Sequence, residues 1–126
     1  SFKCAPTSTA QFRAEANTGG VLTVGGSAVP FVSNLAWERS YLSFTMSSTG
    51  NRRLRTNQLN SPGTVNPARV EVHRPNGTST FQNCAAGTTT CTLTLNNLAP
   101  GIYSVVVHPP AGGDGTMSFN QTLTTQ

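Results

Sequence analysis

A Pro-Gly turn running straight into a strand with apolar side chains on both faces constrains this chain more than any other segment. It reads Leu98-Ala99-Pro100-Gly101-Ile102-Tyr103-Ser104-Val105-Val106-Val107. Successive side chains leave opposite faces of a sheet, so Tyr103, Val105 and Val107 point one way and Ile102 and Val106 the other. A strand apolar on both sides belongs where both sides are covered. The segment is therefore expected to be a central strand of a two-layered β protein.

Other segments alternate with period two, as half-buried strands do. Residues 41–46 place Leu42, Phe44 and Met46 inward. Residues 69–74 do the same with Val70 and Val72, and residues 90–95 with Leu93 and Leu95. Residues 116–124 carry Met117, Phe119 and Leu123 on one face. Residues 28–32 contain Pro30, which suits an edge strand. Ser47-Ser48-Thr49-Gly50-Asn51 and Pro75-Asn76-Gly77 are turns. Near the start, Ala10, Phe12, Ala14 and Ala16 alternate with Gln11, Arg13, Glu15 and Asn17 before Thr18-Gly19-Gly20 breaks the chain; unbroken alternation favours a strand, with a short helix as the rival because of the alanines. The count is about eight to ten short strands and no convincing helix. That pattern predicts an all-β fold, an antiparallel β-sandwich of jelly-roll-like form. Residues 1–19 read as a tail with one amphipathic strand, and residues 20–126 as the sandwich domain.

Composition bears on location and partners. Of 126 residues only 10% are charged, with hydroxyl and amide side chains filling the difference. That balance leans towards a secreted or cell-surface module, since intracellular chains carry about a quarter charged residues. The net charge of +4 is not concentrated as in a nucleic-acid binder. The one cluster is Arg52-Arg53-Arg55, in which Arg53 and Arg55 share a strand face. It reads as a solvated or edge strand protected by charge, or as a weak contact for an anionic polymer. No apolar run is long enough to span a membrane as a helix. The chain begins at Ser1, read as a processed end or as a piece of something longer.

There are three cysteines. Cys84 and Cys91 flank a Gly-containing segment that reads as a hairpin tip, which puts them at disulfide distance. A zinc site lacks a second ligand pair, because His73 and His108 stand apart in the sequence. Cys4 is left over, and is read as a free thiol, an intermolecular disulfide, or a bond outside the domain.

The strand ending in Arg74-Pro75-Asn76-Gly77-Thr78, then Thr92-Leu93-Thr94-Leu95 and Asn97-Leu98-Ala99-Pro100-Gly101-Ile102-Tyr103, resembles bacterial pre-peptidase C-terminal-type domains. Related jelly-roll modules occur in large secreted or surface proteins. The resemblance covers roughly residues 38–124. It implies an exported β-sandwich accessory module without catalytic activity of its own. Calcium-binding members have Asp-rich strands before the turn. Here that strand reads Arg69-Val70-Glu71-Val72-His73 and the turn holds Asn76, so no calcium site is carried over and no cofactor is expected.

Candidate chemistry is sparse. His73 and Glu71, two apart on one strand face, form a dyad on paper, but a solvent-facing pair is the plainer reading. His108 before Pro109-Pro110 reads as structural. No nucleophile elbow, metalloprotease motif or phosphate loop is present. The chain is therefore expected not to be an enzyme. The leading expectation is a structural or adhesive module whose partners are other copies of itself or neighbouring domains of a larger secreted protein; the strand of Ala10, Phe12, Ala14 and Ala16 either completes its own domain or exchanges into a neighbouring copy. Cys4 is placed to lock such a join. The alternative is a carbohydrate-binding accessory module of a secreted hydrolase, with Trp37 and Tyr41, and also Phe31, as exposed stacking platforms for a polysaccharide. Trp37 as a plug for one end of the sandwich is the competing structural reading.

Overall fold

In the computed structural model, residues 20–62, 68–85 and 87–126 are described. The alternating segments form eight strands: β1 (Val29–Val32), β2 (Ser40–Met46), β3 (Gly50–Asn60), β4 (Arg69–His73), β5 (Ser79–Asn83), β6 (Cys91–Leu98), β7 (Gly101–His108) and β8 (Ser118–Thr124). They make two antiparallel four-stranded sheets in the orders β1-β8-β3-β6 and β2-β7-β4-β5. First pairs with last, second with seventh, third with sixth and fourth with fifth. This nested pairing is a long hairpin rolled onto itself, the jelly-roll arrangement of a sandwich.

The inward rows interdigitate as the alternation requires. Leu42, Phe44 and Met46 of β2 and Tyr103, Val105 and Val107 of β7 meet Leu54, Leu93, Leu95, Phe119 and Leu123 from the opposite sheet. Phe44 stacks on Tyr103 with ring centroids 5.0 Å apart, and Phe31 on Phe119 at 5.1 Å. One polar pair is enclosed with them: Gln121 Nε2 donates to Thr56 Oγ1 at 3.0 Å between β8 and β3. Cys84 and Cys91 form a disulfide with Cα atoms 5.4 Å apart, joining the end of β5 to the start of β6.

Three expectations change. The strand β7 is central in its sheet, but only one of its faces is covered by the opposite sheet. Outward, Val106 is shielded by Tyr41 and Glu71 at the same register on β2 and β4, while Ile102 is 66% exposed. Phe31 is core rather than surface, because Pro30 and Val32 take the outward positions of β1. The Arg52-Arg53-Arg55 segment is not an edge: β3 lies between β8 and β6. Only the loop-borne choice of neighbours decides that, and no local pattern reports it.

Residues 20–25 form a strap along one flank. Ser43 N–H donates to Gly20 O at 2.9 Å and Leu22 N–H to Ser43 O at 2.8 Å, so the strap covers the outer edge of β2. Gly25 N–H then donates to Leu123 O of the other sheet at 2.8 Å. Leu22 is buried between these anchors. The segment carrying Ala10, Phe12, Ala14 and Ala16, and Cys4 with it, lies outside the described residues.

Candidate functional site

Among the described residues, two places hold chemistry-bearing side chains that bear on the expected sites. The first is the outer face of the β2-β7-β4-β5 sheet. Register sets Tyr41, Val106, Glu71 and Phe81 in one row across the four strands. Glu71 is the hub. Its Oε2 is 2.8 Å from Arg69 Nε, and its Oε1 is 3.1 Å from His73 Nε2. His108 Nε2 lies 3.2 Å from the same oxygen without the geometry of a hydrogen bond, so it acts there as a charge contact when protonated. The Arg69 guanidinium carbon sits 3.8 Å from the centre of the Phe81 ring, a cation–π contact. Burial works against the charged carboxylate, but the contacts of His108 and His73 and the charge of Arg69 outweigh it, so Glu71 is held below the ordinary Glu value. A carboxylate stabilised in this way is a weak base. The dyad of His73 and Glu71 exists as a contact, and it belongs to an ion network on an open sheet face. His108 was the member that sequence reasoning missed. It stands on β7, and only the pairing of Arg69 with His108 brings it alongside Glu71.

The second place is the end of the sandwich formed by the β1–β2 and β7–β8 loops. Trp37 is 52% exposed and has a φ of 68°, unusual for a bulky residue. Several contacts hold it there. Trp37 N–H donates to Gly115 O at 2.7 Å. A Cβ on Gly115 would come within 2.7 Å of the indole, so the ring lies directly on the glycine backbone. The buried Glu38 accepts from Asn34 N–H at 2.6 Å and Leu35 N–H at 3.2 Å through Oε1, closing the loop from beneath. Asp114 Oδ1 accepts from Thr116 N–H at 2.9 Å and Thr116 Oγ1 at 2.7 Å, fixing the opposite loop. Trp37 is thus a fixed ring with one side on the protein and much of its surface in solvent. Tyr41 is half-buried in the sheet face, where its hydroxyl accepts from Arg39 Nη1 at 3.2 Å. Of the residues expected as aromatic platforms, Trp37 alone stands at this loop end.

The residues that carried the resemblance have a structural task. Gly101 faces Pro75: a Cβ there would fall 2.5 Å from Pro75 Cγ, at a φ of 142°. Tyr103 Oη donates to Ala99 O at 2.7 Å, pinning the turn before its own strand. The β4–β5 and β6–β7 turns therefore lock together, with a cleft above them lined by Arg74, Asn76 and Asn97.

The two flanks of the sandwich differ. On one, the edge strand β1 carries Pro30 and the strap covers β2. On the other, β5 and β6 end their sheets side by side, tied by the disulfide. The sequences there, Ser-Thr-Phe-Gln-Asn and Cys-Thr-Leu-Thr-Leu-Asn-Asn-Leu, carry no charge and no proline. Every residue of β5 except Thr80 is exposed, and Phe81 is 51% exposed.

No protein-family profile matches the chain, and no curated protein matches it. Among solved structures, the chain is similar to the pre-peptidase C-terminal domain of a collagenase from Bacillus anthracis. The TM-score is 0.63 at 11% identity, covering 83% of this chain and 93% of that domain. This likeness establishes a shared fold. The periplasmic inhibitor of g-type lysozyme PliG from Aeromonas hydrophila aligns over 83% of this chain and 98% of its own, at 16% identity, with a TM-score of 0.36 that carries no argument.

Proposed function

We propose that this chain is a non-catalytic β-sandwich module of an exported protein, and that it joins other copies of itself by strand addition. In this reading, residues 10–17 of one copy pair with the open edge of β5 in the next. The observation that carries it is the asymmetry of the two flanks. Exposed strand edges present unpaired N–H and C=O groups, and proteins ordinarily blunt them with charge, proline or a covering segment. One flank here has such protection and the β5–β6 flank has none among the described residues. An incoming strand of the pattern Ala10-Gln11-Phe12-Arg13-Ala14-Glu15-Ala16 would put its apolar side chains over the inner side of β5 and its polar ones outward. Cys4, six residues ahead of that strand, is positioned in sequence to add a covalent lock. The disulfide and the low-charge surface support an extracellular or envelope location. Sedimentation velocity of the full chain across a wide dilution series tests this. Concentration-dependent assembly that F12D/A14D abolishes is expected. A monomer at every concentration, or assembly indifferent to F12D/A14D, refutes it.

A second reading is favoured by Trp37. A fixed, half-exposed indole on a glycine backbone suits stacking on a sugar ring of a neutral polysaccharide, as in an accessory module of a hydrolase. W37A would then reduce retention on an insoluble glycan while leaving the unfolding midpoint in place. Equal retention by W37A excludes Trp37 as the platform.

A further inference from the structure

We propose that the outer face of the β1-β8-β3-β6 sheet is a binding surface for an anionic polysaccharide, one that carries carboxylate or sulfate groups along its length. The register builds two identical rungs across three strands. Thr94, Arg53 and Thr124 form one, and Thr92, Arg55 and Thr122 the other. The rungs are two residues apart, so the guanidinium groups rise from backbone positions roughly 7 Å apart. Strands within a rung are about 4.8 Å apart.

Edge protection does not account for the arginines. Charge protects edges, and β3 has a strand on each side. Like charges close together on one sheet face repel. No carboxylate among the described residues pairs with Arg53 or Arg55. Glu38 is tied into the β1–β2 loop, Glu71 is on the opposite sheet, and Asp114 is in the β7–β8 loop. The face therefore presents two guanidinium groups that no carboxylate of the described residues neutralises, each between two hydroxyls. Arginine gives paired donors to a carboxylate or sulfate, and threonine gives a donor and acceptor for sugar hydroxyls. A nucleic acid would fit less well, because these rungs offer no aromatic ring for base stacking.

The test uses the full chain in a titration against four probes: a sulfated decasaccharide, a polyuronate oligomer, a neutral dextran, and a single-stranded oligonucleotide of matched charge. Binding to either charged glycan, weakening as salt rises, is expected. R53Q/R55Q should weaken it by about 5- to 30-fold, on the scale of two solvated charge contacts. R53K/R55K, which keeps the charge and loses the fork, should fall between the two and serves if the glutamine variant unfolds. T122V/T124V should weaken binding several-fold with both arginines intact. Failure of both charged glycans to bind, or undiminished binding by R53Q/R55Q, overturns the proposal. Equal binding to dextran overturns the role of charge. Oligonucleotide binding as tight as glycan binding overturns the glycan assignment, because the face would then read charge alone.

Discussion

Replacing Gly101 with alanine tests whether the two locked turns hold the sandwich together. The added Cβ would lie 2.5 Å from Pro75 Cγ and 3.1 Å from Pro75 Cβ. A proline ring has little freedom to turn away, because its φ is fixed by ring closure. Forcing a methyl into such a contact costs about 1–3 kcal/mol. The φ of 142° adds backbone strain of about 1–3 kcal/mol for an L-residue. A central value for the sum is about 4 kcal/mol. With an unfolding entropy of about 2.1 cal/mol/K per residue, the 126 residues give about 0.26 kcal/mol/K. The melting temperature should then fall by about 15 °C. Gly77→Ala is the control, since its φ is 90° and nothing lies within 4 Å of a Cβ. It carries backbone strain alone, about 2 kcal/mol at the centre of the same range, or about 8 °C. Differential scanning calorimetry on both variants reads the difference. P75A should recover part of the G101A loss, because it removes the atom at the shorter contact. If G101A melts within a few degrees of G77A, or P75A gives no recovery, the rigid contact does not exist and the reasoning fails.

Three other outcomes follow from the same structure. Thr56→Val should cost about 1–3 kcal/mol in urea unfolding by stranding the buried Gln121 amide, while T56V/Q121L should come back close to the parent. Glu71 has a folded-state pKa below its ordinary value of 4.5, so the stability it lends is fully present above that value. It is lost as pH falls through the lowered folded value, and E71Q should flatten this acid limb in unfolding measured from neutral pH downward. Gly115→Ala should displace the indole resting on it, seen as a shift in Trp37 fluorescence, whereas an unchanged spectrum would mean that the ring does not depend on that contact.

Local features of the sequence carried most of the architecture. Alternation located Leu42, Phe44 and Met46 in the core, and Val70 and Val72 with them, because burial on one face imposes a period of two. The short Gly-containing loop between Cys84 and Cys91 exposed the disulfide for a similar local reason. Pairing between distant strands was less visible. Arg53 and Arg55 look like edge protection until β6 and β8 are seen on either side of β3. His108 looks structural until β7 lies beside β4 and brings it to Glu71. Ile102 looked covered because its neighbour Val106 is apolar too. Yet Val106 is shielded by Tyr41 and Glu71, and nothing equivalent among the described residues shields Ile102. The strap over β2 was hidden because Val21-Leu22-Thr23-Val24 is held by isolated bridges rather than a full ladder.

The proposal that the open flank receives a strand is tested most directly by amide hydrogen exchange of residues 79–83 in the full chain at high and low concentration. The account predicts that the outward-facing amides of β5 gain protection as concentration rises, and lose it on dilution or in F12D/A14D. Exchange at β5 that stays the same across the dilution series would contradict it.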